Sequence, residues 1–148
     1  MWKSILLTTL IAGTCDIVAA CTQTYVLAKV LPIQVLKYIA SGAFGKSAYE
    51  GGIEMPLLGL LFHYLIAFAC TAVFYWLYPK LSLLKFNLFL NAFAIGIVAW
   101  FVTTQIIIPL SQFTPAPFSI SKALMAISIL IICLGLPIAY RAKLFYEL

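Results

Sequence analysis

Four long apolar runs, interrupted only by isolated polar residues, organise this chain. A bilayer's hydrocarbon core is about 30 Å thick and is crossed by roughly 20 apolar residues in a helix. The runs have that length. They predict membrane helices from about Ser4 to Ala28, Leu57 to Tyr78, Phe86 to Leu110 and Phe118 to Tyr140. Prolines punctuate the pattern. Pro79 ends the second run, Pro109 closes the third, and Pro115 and Pro117 precede the fourth. Pro137, close to Gly135, is expected to kink the final turn.

The stretch from Leu31 to Met55 breaks the pattern. It is too long for a tight turn and too polar to span. Ile33, Leu36, Tyr38 and Ile39 suggest a short amphipathic helix, and Gly51-Gly52 breaks the chain again. The expectation is a piece lying on the membrane surface. A re-entrant loop is the alternative, since irregular backbone at membrane depth must be buried in protein or face water. The fold class is therefore all-α: one domain, residues 1–148, forming a four-helix membrane bundle with an interfacial or re-entrant segment between helices 1 and 2.

Composition sharpens this picture. The chain is 65% hydrophobic and 9% charged, with a mean hydropathy of +1.12. A soluble domain is nearer 45–50% apolar and about 25% charged, so the bilayer is the expected solvent. The net charge of +5 comes from single, scattered bases rather than a phosphate-tracking stripe, which argues against nucleic acid. Lys3, Lys80, Lys85, Arg141 and Lys143 fall at one end of the helices. Lys29, Lys37, Lys46 and Lys122 fall at the other, where Lys122 is expected to snorkel from within the fourth helix. The bias puts both termini in the cytoplasm. Tyr75, Trp76, Tyr78 and Tyr140 would then form an aromatic belt at the inner interface.

Two patterns are set aside. Lys3 before an apolar run, with Val18-Ala19-Ala20-Cys21, imitates a cleavable leader, but Asp16 would lie inside its apolar region. Ala40 to Ser47 imitates a phosphate-binding loop, but no strand precedes it and the topology puts it outside the cell. Cys15, Cys21, Cys70 and Cys133 have no paired spacing and are expected to be small buried hydrophobes. Trp100, Asn87 and Asn91 are expected to serve packing.

Candidate chemistry starts at Asp16, near the middle of the first helix. A charge there costs about 2.5–3.5 kcal/mol on insertion scales, so it should face the bundle interior or water, or be protonated. Thr9, Asp16 and Gln23 share one helix face, flanked by Gly13 and Ala20. Counting about 1.5 Å per residue, His63, Gln23, Thr103, Thr104 and Gln105 fall at similar heights in the outer half. The candidate polar pathway is Asp16, Gln23, His63, Thr104 and Gln105. It reads either as a small cavity with a titrating histidine or as hydrogen-bonded glue between helices. One histidine and scattered thiols make no metal set, and no cofactor is expected. Nor is an enzyme, because no nucleophile stands with a base. Asp16 and His63 could form an acid–base pair only if the helices bring them within reach.

His63, then Phe74-Tyr75-Trp76-Leu77-Tyr78-Pro79-Lys80, then a Gly96-containing helix ending in Pro109-Leu110-Ser111-Gln112-Phe113-Thr114-Pro115-Ala116-Pro117-Phe118, form an order that resembles the YagU-like family of small bacterial inner-membrane proteins. The resemblance spans roughly Leu57 to Phe118. It implies a bacterial inner membrane and little about mechanism. The leading functional reading is a small transporter or channel-like protein for protons or a small solute. Four helices are few for a monomeric pathway, so a homodimer is plausible. The alternative is a non-transporting subunit or scaffold whose polar residues hold helices together.

Overall fold

A computed structural model describes residues 1–113 and 117–147. Among these residues the regular structure is entirely helical. Four helices are long and apolar enough to cross a membrane: α1 (Trp2–Ala28), α4 (Glu54–Leu77), α5 (Leu88–Leu110) and α6 (Ile120–Glu147). Two shorter helices, α2 (Pro32–Phe44) and α3 (Ser47–Glu50), lie between α1 and α4. The chain is a multi-pass membrane protein.

The helix limits follow from local chemistry. α1 stops at Lys29, which adopts a left-handed conformation (φ 57°) and donates its N–H to Tyr25 O while Val30 N reaches Thr24 O. This is the double-bonded αL ending, here on a non-glycine residue. Pro32 then opens α2 at a position where its missing N–H costs nothing. α4 ends at Leu77, ahead of Pro79. Asn87 caps α5, its side-chain oxygen accepting from Phe89 N (2.9 Å) and Leu90 N (3.2 Å).

The fourth helix departs from expectation. It does not end near Tyr140 but continues through Pro137 to Glu147. The turns just before Pro137, Leu130–Gly135, widen to i→i+5 bonding. The same happens at Thr103–Ile107, just before Pro109. A proline lacks the N–H that its i−4 carbonyl needs and crowds that carbonyl. A π-type turn relieves both problems without ending the helix.

Neighbouring helices run antiparallel, so pairings give their levels. α1 meets α4 through Ser4 and Thr8 at Tyr75, and through Gly13 at His63. α1 meets α6 through Thr8 at Arg141 and Gln23 at Met125. α5 lies on α6 through glycine: a Cβ at Gly135 would overlap the Ala92 carbonyl oxygen, and one at Gly96 would lie 2.5 Å from Ile131 Cγ1. α4 and α5 touch only sparingly, which leaves a gap between them. One end of the bundle holds both chain termini; α2 packs at the other.

Several expectations change at the terminal end. Tyr75 and Tyr78 are not belt residues but core, each 0% exposed. The Tyr75 hydroxyl bonds Thr8 (2.9 Å) and Ser4 (3.1 Å), its carbonyl accepts from Tyr146, and Tyr78 donates to Glu147 (2.6 Å). Trp76 and Tyr140 do face outward, with Lys80 Nζ 3.2 Å above the Trp76 ring. Asn91 is buried and donates to the Leu84 carbonyl, while Trp100 is half-buried. The thiols also differ: Cys15 is exposed, and Cys21, Cys70 and Cys133 are half-buried.

The Leu31–Met55 segment does not simply lie on a surface beyond the bundle. α2 packs flat on α4, so closely that a Cβ at Gly59 would overlap the Leu36 carbonyl oxygen. Gly59 is about 10 Å from the centre of α4 at 1.5 Å per residue, inside the half-thickness of a hydrocarbon core. Phe44 stacks on Phe62, centroids 6.1 Å apart. Gly45 (φ 60°) then turns the chain away, and Lys37 Nζ ties the following loop down through Gly51 O (2.7 Å) and Tyr49 O (3.2 Å). The phosphate-loop look-alike is thus the C-terminal end of α2. It presents carbonyls there, the opposite of an anion cradle.

Candidate functional site

Asp16 and His63 sit one against the other in the middle of the bundle. Gly13 makes this possible: a Cβ there would lie 2.9 Å from the Tyr64 ring, so only glycine lets α4 come this close to α1. His63 Nε2 donates to the Gly13 carbonyl (2.9 Å), and Thr14 and Tyr64 hydroxyls pair beside it (2.6 Å). With Nε2 committed as a donor, a neutral ring presents Nδ1 as its acceptor. His63 Nε2 is 3.9 Å from Asp16 Oδ2. That is too long for a hydrogen bond, and the Nε2 proton is directed to Gly13 O instead. The side chains are 13% and 15% exposed, respectively.

Both line a cavity of about 520 Å³ between α4 and α5. α1 and α6 form its back, through Asp16, Leu130 and Leu134. α2 roofs it through Tyr38, Ile39, Gly42 and Ala43, with Phe113 beneath Tyr38 (ring centroids 4.6 Å apart). The roof is latched: Gln112 N donates to Gly42 O (2.9 Å) and Gln112 Nε2 to Ala43 O (2.7 Å). Gly42 is needed because a Cβ there would meet the Phe113 ring at 2.8 Å. Partial burial, with the Tyr49 phenol nearby, pushes the Tyr38 phenol up, so it remains a neutral hydroxyl. Both π-type turns border this cavity, Thr103 and Ile107 from one and Leu130 and Leu134 from the other.

No protein-family model, curated protein or solved structure matches the chain. The site is therefore read from its own geometry.

The five sequence candidates divide. Asp16 and His63 come together on the cavity wall. Gln23 lies about two turns along α1, its amide against Met125 Sδ (2.8 Å), and does not line the cavity. Thr104 bonds back to Trp100 O (2.8 Å), and Gln105 is exposed and, among the described residues, reaches only Thr104 (3.3 Å). Their neighbour Thr103 faces the cavity instead. Each residue turns the helix by about 100°, and the widened turn begins at Thr103, so a one-residue error moves the face.

Ser111, Tyr38 and Cys70 also line the cavity, though the sequence marked none of them as a site residue. Thr9 shares the Asp16 face as expected, and its hydroxyl is buried without a partner among the described residues. Among the described residues no three His, Cys, Asp or Glu side chains gather closely enough to hold a metal ion. Thr114 and Pro115, part of the motif resembling the YagU-like family, lie outside the described residues.

Proposed function

We propose that this protein is a small membrane transporter or channel-like protein, with the Asp16–His63 cavity as its proton- or solute-handling site. One observation carries the reading: a carboxylate and an imidazole from different helices share the wall of a membrane-depth cavity. Ionisable groups are costly in a bundle and mark pathways when they face an interior space. The two groups face each other across the bundle interior, Nε2 to Oδ2 being 3.9 Å. Toward the terminal end the space closes against Ala67, Thr71 and Phe74, all buried. That supports access from the α2 half and the α4–α5 flank rather than from the terminal end in this conformation. The resemblance to the YagU-like family supports a bacterial inner membrane, and the Lys/Arg distribution supports cytoplasmic termini.

The test is flux in liposomes carrying purified protein under an imposed pH gradient. Asp16→Asn should lower proton flux at least tenfold, while Gln23→Ala, outside the cavity, should leave it within twofold. Equal flux from wild type and Asp16→Asn contradicts the reading. So does no flux from either, which would instead fit a subunit held together by polar contacts.

A further inference from the structure

The Asp16 carboxylate is left open by its own protein. Among the described residues no donor lies within hydrogen-bond distance of it, and its nearest cationic candidate, His63, is 3.9 Å away with Nε2 directed to Gly13 O. A neutral imidazole makes that same bond, so the pairing does not require a charged histidine. No Lys or Arg lines the cavity among the described residues. A carboxyl group buried this far either holds a proton or, when it gives it up, needs a counter-charge beside it.

The rest of the wall specifies what kind. Phe62, Phe113 and Tyr38 supply aromatic surface, and Ile39, Ile66 and Ile107 supply aliphatic surface. Ring faces attract cations, most strongly where water is excluded. An inorganic cation would want an oxygen cage, which these side chains do not provide. The volume of about 520 Å³ lies within the range of sites for drug-sized organic molecules. Access matches as well. Leu65 lines the cavity yet is 55% exposed on the flank of the bundle, where α4 and α5 touch only sparingly. The cavity therefore reaches the lipid-facing side.

We propose that this cavity binds an amphiphilic organic monocation, a quaternary ammonium or phosphonium body with apolar or aromatic substituents, its charge set against Asp16 and its apolar body under the α2 roof. This deepens the transport reading by naming a ligand class for the same site. Binding needs no gradient, so it is measured separately from flux.

Tetraphenylphosphonium binding to protein in nanodiscs of uncharged lipid tests it. Wild type should bind saturably, one ion per chain, with Asp16→Asn at least tenfold weaker and Asp16→Glu within a few-fold. Phe113→Ala keeps the charge and removes a roof aromatic; it should weaken binding several-fold. Neutral triphenylphosphine should not compete. Absence of saturable binding to wild type, equal affinity in Asp16→Asn or Phe113→Ala, or equal competition by triphenylphosphine overturns the proposal. Proton flux without phosphonium binding would overturn this inference and leave the transport reading standing.

Discussion

The two ends of the bundle are built on different principles. At the terminal end, large side chains fill the space and their polar atoms are paired: Tyr75 with Ser4 and Thr8, Tyr78 with Glu147, Asn91 with Leu84. Rings stack there too, Tyr78 on Tyr146 at 5.5 Å. At the α2 end, glycines admit the Leu36 backbone at Gly59 and the Phe113 ring at Gly42, while the centre is left open around a carboxylate with no hydrogen-bond partner among the described residues. Without a hydrophobic drive between helices in lipid, packing and interhelical hydrogen bonds hold a bundle. The terminal end uses both. The α2 end uses close packing at its edges and leaves its middle hollow. A chain this short has few polar residues to place, and their unequal placement separates a clamp from a chamber.

The largest effect should come from breaking the α2 contact. Gly59→Leu forces side-chain atoms into the Leu36 carbonyl and should cost about 3 kcal/mol, the upper range for overpacking. A thermal melt in detergent would read this as a large loss of stability, with hydrogen exchange rising first in α2. An unchanged melt would mean that α2 is not held as described.

Tyr75→Phe probes the other end. It keeps the ring but removes the hydroxyl shared by Ser4 and Thr8, leaving Thr8 with the long bond from Arg141 Nε (3.4 Å), at a cost of about 1–3 kcal/mol. Stability should fall while flux per folded protein stays within twofold. A lost flux with intact stability would erase the distinction between clamp and chamber.

A smaller effect is expected at the latch. Gln112→Ala removes the bond to Ala43 O but keeps the backbone bond to Gly42 O. The net loss should be about 1 kcal/mol, seen as faster exchange in α2 with the terminal end unaffected. Uniform change across the bundle would show that the two ends are coupled more tightly than their contacts suggest.

Much of this was legible in the sequence because length and hydropathy suffice to place membrane helices. Asp16 and His63 stood out singly, each as a polar exception in an apolar run. Their meeting was not legible, since it depends on Gly13 admitting Tyr64 to the face of α1. Tyr75 and Tyr78 read as belt residues because a tyrosine near a helix end looks alike whether it points to lipid headgroups or to the core. Only the partners, Thr8 and Glu147, decide. The cavity side of α5 was missed by one residue, Thr103 rather than Thr104. The π-type turn that sets it arises from Pro109 several residues later and leaves no mark in an apolar periodicity. The depth of α2 was hidden for the same kind of reason: Gly59 in an otherwise ordinary helix is a docking point only once Leu36 is seen against it.

The most direct test is which side of the membrane reaches the cavity. Thr103→Cys, in a chain whose four native cysteines are alanine, would be treated with a charged, membrane-impermeant thiol reagent from each side of oriented vesicles. Labelling from the α2 side alone is expected. Labelling from the terminal side alone, or from neither, would contradict a chamber that opens above Asp16 and is closed below it.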